Sequence, residues 1–299
     1  MKTLRSIIAL IICSGLFITV SAQNVNTSIS PGSSVTQMSS DVPPTNIYKR
    51  ENIIPEKKPV PYTYIREADV MWAKDVWRII DLRERMNMTL RYPVKGKMEE
   101  RYSLFNLLME GIRSEEITPY QFTAFQTPFK QLTTLQEIYI KLEADTIWDD
   151  NGNPTDEIDI PTQNIKQFVI QEKWFFDKQS SVMKVRLYAM SPVIFKQEYN
   201  PATGRMLPQI EKVPVFVVYF PQCRELFATH AIYNAGNDAQ NISFDDLFFQ
   251  RRFSTTIVAE SNVYGNRFVT DYLKGQDALM EADRIKNDLF IMEHDLWEY

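Results

Sequence analysis

Cys223 and His230 are the pair of residue types in this sequence best suited to supply a nucleophile and a general base. A thiolate activated by an imidazole is the chemistry of cysteine hydrolases, and it needs the two side chains within hydrogen-bond reach, about 3 Å. Seven residues apart on a helix, the two side chains share a face but lie about 10 Å apart along the axis, at 1.5 Å per residue. We therefore expect no direct activation of Cys223, and a cysteine hydrolase is the weaker alternative. The other histidine, His294, lies between two acidic residues near the chain end, where we expect a solvated imidazole.

An acidic stretch from Asp149 to Asp159 contains clustered carboxylates and amides, which are ligands that calcium prefers. An EF-hand loop beginning at Asp149 needs glycine at its sixth position and glutamate at its twelfth, where the sequence has Pro154 and Ile160. Asn151-Gly152 instead lies between two alternating segments, which is the strongest short signal for a β-hairpin. The stretch therefore predicts a hairpin rather than a calcium loop.

Other motifs for catalysis or cofactor binding are missing from the sequence. Its nine glycines never fall in a GxGxxG or P-loop spacing, and no GxSxG elbow or HExxH helix occurs. Two histidines are too few for the common zinc sites built from His and Cys. We predict no catalytic residue, no cofactor and no metal.

The chain begins with the pattern of a secretory signal peptide. Two basic residues precede an apolar run from Ile7 to Val20, and Ser21-Ala22 provides small residues for cleavage. A lipoprotein signal at Cys13 is the alternative, but the isoleucine before it is too large for that position. We expect removal of residues 1–22 and export of the remainder.

The composition is typical of a globular, acidic protein. The 299 residues are 44% apolar and 24% charged, and the formal net charge is −5. Nucleic-acid binding depends on neutralising phosphates with Lys and Arg, so we expect no nucleic-acid partner. Residues 23–61, rich in Ser, Thr, Asn and Pro, predict an extended, largely disordered arm. Residues 62–299 predict one globular domain, or two lobes over 62–145 and 146–299.

Residues 66–88, READVMWAKDVWRIIDLRERMNM, have the periodicity of a broad amphipathic helix. On a helical wheel the two tryptophans, Trp72 and Trp77, lie about 140° apart at the ends of one apolar arc. We expect Trp77 in the core and Trp72 nearer an interface.

Strand patterns occupy the middle of the chain, and helix patterns flank it. Hairpin-like connections near residues 151–152, 177–180 and 199–205 imply an antiparallel sheet, and the continuously apolar run 216–220 predicts a central strand. Helices are expected over residues 103–113, 134–142, 222–233, 243–253 and 278–296. The predicted fold class is α+β: an antiparallel sheet of hairpin-connected strands in the middle of the chain, packed by amphipathic helices that include a long C-terminal helix.

Four segments are more specific than generic helix and strand patterns. They are PYTYIREADVMWAKDVWRIIDLRERMN (61–87), SVMKVRLYAMSPV (181–193), SFDDLFFQRRFSTTIVAESNVY (243–264) and DYLKGQDALMEADRIKNDLFIMEHDLWEY (271–299). These segments resemble the gliding-motility protein N family, GldN or PorN, of the type IX secretion system in Bacteroidota. The resemblance covers most of the chain after the arm.

The resemblance implies a non-enzymatic periplasmic protein. Members of the family partner an outer-membrane lipoprotein, GldK or PorK, and form a large ring with it. That ring is thought to connect to the periplasmic part of the motor protein, GldM or PorM, and to contact peptidoglycan. Cargo export, and surface gliding in some members, depend on it. The family has no catalytic residues to transfer to this sequence.

A ring requires a heterologous contact, in which two different patches meet. We expect the arm (23–61) to supply one patch by ordering on a neighbour. The other patch is expected to include Phe248, Phe249, Arg251 and Arg252, because interfaces favour aromatic residues and arginine. The competing interpretation places the phenylalanines in the core and the arginines in solvent. The remaining interface candidates are Trp72, Trp297 and Cys223. As a lone thiol after removal of residues 1–22, Cys223 is expected either to be buried or to form a disulfide with another chain. A peptidoglycan- or carbohydrate-binding module is the alternative function.

Overall fold

The computed structural model describes residues 56–94, 96, 98, 101–123, 129–148, 154–200, 205–234, 236–237 and 241–295. The strands in these ranges are β1 (Val70–Asp81), β2 (Pro119–Tyr120), β3 (Asp145–Trp148), β4 (Pro154–Asp159), β5 (Ile165–Asp177), β6 (Val182–Asn200), β7 (Arg205–Pro214), β8 (Val217–Tyr219) and β9 (Thr256–Glu260). The α-helices are α1 (Met88–Arg91), α2 (Leu104–Arg113), α3 (Leu135–Leu142), α4 (Phe220–Thr229), α5 (Phe244–Phe249), α6 (Val269–Tyr272) and α7 (Gln276–Asp295). Short 3-10 turns occupy Glu67–Asp69, Arg85–Asn87 and Thr162–Asn164.

One seven-stranded antiparallel sheet organises the fold. Its strands follow the order β2-β8-β6-β5-β1-β9, and β7 pairs with the C-terminal half of β6. Strands β3 and β4 form a separate two-stranded antiparallel sheet, which confirms the predicted hairpin, although its turn lies outside the described residues. The expected α+β class, with an antiparallel sheet and a long C-terminal helix, is confirmed.

The helix predicted over residues 66–88 is wrong, because Val70–Asp81 is the strand β1. This strand lies between β5 and β9 and is antiparallel to both. A strand covered on both faces has apolar residues on both sides, and so a wide apolar arc also appears when its sequence is placed on a helical wheel. The tryptophans and β-branched residues of the segment favour a strand. Pairing with β5 and β9 therefore determines that this segment is a strand, because its periodicity alone does not distinguish a buried strand from a helix.

Successive residues of β1 point to opposite faces and contact different clusters. Val76 packs with Ile257 and with the α7 residues Ala282, Ile285 and Leu289. Trp77 packs instead with Val169, Val193, Val258 and Ala259. Trp77 is 5% exposed, which confirms its predicted place in the core.

Side-chain caps begin three of the helices where the sequence predicts them. The hydroxyl oxygens of Ser103 and Thr134 accept hydrogen bonds from backbone N–H groups of α2 and α3. Ser243 forms a reciprocal capping box with Asp246 at the start of α5. Helices α2, α4 and α5 cover the sheet face that presents Ile80, Phe168 and Ile170, and together they form the main core. In the part of the chain described here, the helices are all too short or too polar to cross a membrane.

Candidate functional site

The Cys223 thiol is buried in the main core on α4. Its Sγ donates to the carbonyl oxygen of Tyr219 over 3.4 Å, and burial raises the pKa of the thiol far above its usual range. The Nδ1 of His230 lies 2.9 Å from the carbonyl oxygen of Leu226, at the C-terminal end of the same helix. A thiol held protonated in an apolar core is a poor nucleophile, so the structure gives no support to cysteine chemistry.

Carboxylates do not gather into a metal site in the described ranges. No group of three or more His, Cys, Asp or Glu side chains in these ranges could hold a metal ion. The turn of the acidic hairpin, residues 149–153, lies outside them.

A buried ion network joins the sheet to the segment after α5. Glu172 of β5 is fully buried, and its carboxylate accepts hydrogen bonds from Arg251 Nη2 at 2.6 Å and from Trp174 Nε1 at 3.0 Å. The Nε of Arg78 on β1 lies 3.5 Å from the same carboxylate, and burial lowers the pKa of Arg78. One buried carboxylate therefore faces two arginines from different segments.

Arg251 is positioned by an unusual backbone turn. Its φ of 54° is in the left-handed region, where a non-glycine residue costs about 1 kcal/mol. The backbone N–H groups of Arg251 and Arg252 donate to the carbonyl oxygens of Phe248 and Leu247, which ends α5. The guanidinium of Arg251 also lies over the ring of Phe253 at 5.7 Å. The turn thus directs Arg251 inward, towards Glu172, rather than into solvent.

A second buried ion pair lies beside this network. Arg224 of α4 donates from Nε and Nη2 to the two carboxylate oxygens of Asp245 on α5, at 2.8 and 3.0 Å. Both side chains are almost fully buried. The ring of Tyr62 covers the guanidinium of Arg224 at 4.2 Å and that of Arg186 at 4.9 Å. Burial raises the pKa of Tyr62, so its hydroxyl stays neutral.

Tyr62 belongs to the segment that leads into the sheet, and this segment is fixed at two further points. Lys57 forms an ion pair with Asp246 of α5. The guanidinium of Arg186 donates to the carbonyl oxygen of Thr63. The segment from Lys57 to Thr63 therefore lies against α5 and the N-terminal half of β6.

An open cavity remains between this segment and the sheet, and we call it the groove. Its volume is about 390 Å³. It is bounded by residues 60–63, by residues 184–187 of β6, and by Phe220, Asp245, Phe248, Phe249 and Arg251. Three cationic side chains border it, but Lys184 is paired with Asp177 and Arg251 with Glu172, and its one carboxylate, Asp245, is paired with Arg224. The groove is therefore largely apolar, and Arg186 is the one rim cation that has no carboxylate partner among the described residues.

The predicted interface residues occupy different environments. Phe248 is 2% exposed and stacks on Phe227, whereas Phe249 is 57% exposed at the groove. Arg251 is engaged with Glu172, and Arg252 is exposed. Phe248 and Cys223 are both buried in the folded chain, as in the competing interpretation that places the phenylalanines in the core. Phe249 and Arg252 are exposed, and their assignment to an interface stays a prediction.

Of the two tryptophans predicted at an interface, the structure describes only Trp72. Trp72 is partly buried and packs against the cluster that contains Val76 and α7. Its assignment to an interface stays a prediction. Trp297 lies outside the described residues.

Sequence reasoning missed Tyr62, Arg186, Arg224 and Asp245. These residues come from four distant segments, and only the fold brings them together. One local signal was present: Arg224 interrupts the apolar face of α4, and a buried arginine requires a carboxylate partner.

A further apolar surface lies on the outer side of α7. Its buried side contains Ala282, Ile285 and Leu289. The exposed apolar residues of the helix are Leu279, Met280, Phe290 and Ile291. Residues 11 apart on a helix share a face, so Leu279 and Phe290 lie on one side of it.

Comparison with known proteins gives a family match. The model of the family described as "Gliding motility associated protein GldN" matches residues 65–298. No curated protein matches the chain.

Proposed function

Because the chain belongs to the GldN family of gliding motility associated proteins, we propose that it is a non-enzymatic structural subunit of the type IX secretion and gliding machinery. The match over residues 65–298 is the observation behind this proposal. It includes every strand and α-helix described above.

The proposed location is the periplasm, on the inner side of the outer membrane. There the chain joins an outer-membrane lipoprotein of the GldK/PorK kind in a ring, and the ring links the periplasmic part of a GldM/PorM-like motor protein to protein export. The sequence supports export through the signal-peptide pattern of residues 1–22. Direct contact with peptidoglycan is part of the same proposal.

The chemistry of the described residues agrees with a structural role. The one nucleophile singled out from the sequence, Cys223, is buried, and its pKa is raised. The largest arrangements of charge, around Glu172 and Asp245, are internal ion pairs that connect strands and helices. They fix the positions of these strands and helices relative to one another.

Assembly with the lipoprotein tests the proposal. The purified chain and the GldK/PorK-like lipoprotein of the same organism, mixed in detergent, should form rings that negative-stain electron microscopy can resolve. Neither component alone should give the same particles. A mixture that elutes as two separate species in size-exclusion chromatography would contradict the proposal.

Two exposed phenylalanines provide a matched pair of surface variants. Phe249 borders the groove and is 57% exposed, and Phe290 lies on the outer side of α7 and is 64% exposed. We expect Phe249→Asp to reduce ring yield and Phe290→Asp to leave it unchanged. Equal yields from both variants would exclude Phe249 as an assembly residue.

Export in cells provides the second test. Deletion of the gene should stop cargo from reaching the cell surface, and wild-type expression should restore it. Binding to isolated peptidoglycan sacculi, measured with and without the lipoprotein, separates direct wall contact from contact through the ring. Normal surface cargo in the deletion strain would refute the proposed function.

A further inference from the structure

Among the described residues, no strand pairs with one edge of the N-terminal half of β6, although the segment from Lys57 to Thr63 lies close to it. Residues 182–188 of β6 pair with β5 on one side, whereas β8 and β7 pair with β6 only from Ala189 onward. Residues 60–63 lie nearby across the groove, and among the described residues no backbone hydrogen bond joins them to this edge. Unpaired backbone N–H and C=O groups of an edge strand are a template for another strand.

The rim of the groove favours a negatively charged partner. Within the described parts of the chain, Arg186 has no carboxylate partner, and its hydrogen bonds go to the neutral oxygens of Thr63. The other two cations of the rim already have carboxylate partners, Asp177 for Lys184 and Glu172 for Arg251. Phe249 adds an exposed aromatic ring beside these cations. An occupant that matches this site is extended, acidic and partly apolar.

The β3–β4 hairpin of the same chain has this chemistry. No Lys, Arg or His occurs between residues 142 and 165, while β3 and β4 contain Asp145, Asp156, Glu157 and Asp159. In the backbone register Asp145 pairs with Asp159, Thr146 with Ile158 and Trp148 with Pro154, so the hairpin combines acidic and apolar residues. In the described ranges, β3 and β4 pair only with each other, which leaves both of their outer edges open.

We propose that the acidic β3–β4 hairpin of one copy docks on the β6 edge and the groove of a second copy. Either outer edge of the hairpin continues the large sheet of the neighbour, and the acidic composition of the hairpin complements the charge of Arg186. The contact joins two different patches, so it is heterologous and repeats from copy to copy until it closes into a ring or extends as a filament. The inference rests on the proposed function in one respect, that the chain assembles with itself.

The arm of the chain is a poorer occupant of the groove. Residues 23–55 contain two acids, Asp41 and Glu51, and two bases, Lys49 and Arg50. Residues 56–61 add Glu56, Lys57 and Lys58, so the whole arm (23–61) has a formal net charge of +1 and no electrostatic preference for a cationic site.

Reciprocal charge reversal tests the contact in the purified full chain. The groove variant is Arg186→Glu, and the hairpin variant is Asp156→Lys/Glu157→Lys. Sedimentation velocity over a concentration series should show self-association of the wild type, weakened about tenfold or more in each variant alone. Mixing the two variants should restore it, because each reversed patch then meets its opposite.

Matched variants control for charge and folding. Arg252→Glu makes the same charge change at an exposed arginine that does not line the groove, and it should associate as the wild type does. Arg186→Gln is a milder groove variant for use if Arg186→Glu unfolds. A strictly monomeric wild type, or a mixture no heavier than its components, overturns the inference.

The outcomes separate this inference from the proposed function. If export does not depend on the protein but mixing still restores self-association, the proposed function fails and the contact stands. If export and ring formation with the lipoprotein persist in the variants, the proposed function stands and the contact is wrong.

Discussion

Arg251 Nη2 donates a hydrogen bond to Oε1 of Glu172 over 2.6 Å, and Glu172 has no exposed surface. Arg78 approaches the other carboxylate oxygen at 3.5 Å. The carboxylate is the only negative group placed between these two arginines in the described structure, and Arg78 is itself mostly buried. Strand β1, strand β5 and the end of α5 are thereby connected at one point.

Glu172→Gln should destabilise the fold by about 3–5 kcal/mol, because it leaves a buried arginine without a countercharge. Urea unfolding followed by circular dichroism measures the change. Glu143→Gln is the control, since the Glu143 side chain that pairs with Lys196 is 66% exposed, and its loss should cost less than about 1 kcal/mol. Equal effects from the two variants would show that the buried network adds no stability.

Phe248→Ala and Phe249→Ala should differ strongly despite their adjacent positions. Phe248 is enclosed by the rings of Phe220, Phe227 and Phe253, so its truncation leaves a cavity and should cost about 3–5 kcal/mol. Phe249 is exposed, and its truncation should change stability by less than about 0.5 kcal/mol. Thermal unfolding of both variants gives the comparison. A large loss in Phe249→Ala would place that ring in the core.

Cys223 should react with iodoacetamide only when the chain unfolds. Burial and the raised pKa keep the thiol protonated and out of contact with reagent, so alkylation of the native chain should be at least about 1,000-fold slower than in denaturant. Mass spectrometry of timed samples measures both rates. Rapid modification of the folded chain would show that the thiol is accessible. The hypotheses that Cys223 is a hydrolase nucleophile or forms an intermolecular disulfide would then need to be tested again.

Asp177 should make the stability depend on acid pH. Lys184 and Ser180 donate to its carboxylate and lower its pKa to about 2 in the folded chain. The unfolded value is about 3.9, so the ionised carboxylate stabilises the fold above pH of about 4, and this contribution is lost as the pH falls towards about 2.

The free energy of unfolding should therefore be larger for the wild type than for Asp177→Asn at neutral pH. This difference should become smaller as the pH falls below about 4. Denaturant titrations at several pH values measure it. Asp288→Asn removes a carboxylate that is 52% exposed and pairs with Arg284, and serves as the control with little pH dependence. A constant difference between wild type and Asp177→Asn across this range would contradict the lowered pKa.

Local signals in the sequence were enough for the capped helices and the hairpins. Ser103, Thr134 and Ser243 cap helices through hydrogen bonds within four residues, and such contacts can be read without knowledge of the fold. The pairing of β1 with β5 and β9 depends on distant residues, and the helix predicted there failed for that reason. The groove was also beyond local reasoning, because Tyr62, Arg186 and Arg224 meet only after the chain has folded.

The central place of β1 has a consequence for how the chain reaches its native state. Val76 of β1, the first strand of the described residues, pairs with Glu260 of β9, so the sheet cannot be completed until the polypeptide is available as far as β9. Such long-range pairing slows folding and leaves an apolar strand exposed in the meantime. During synthesis or translocation from the N-terminus, we expect Val70–Asp81 to be the segment that a chaperone must shield longest.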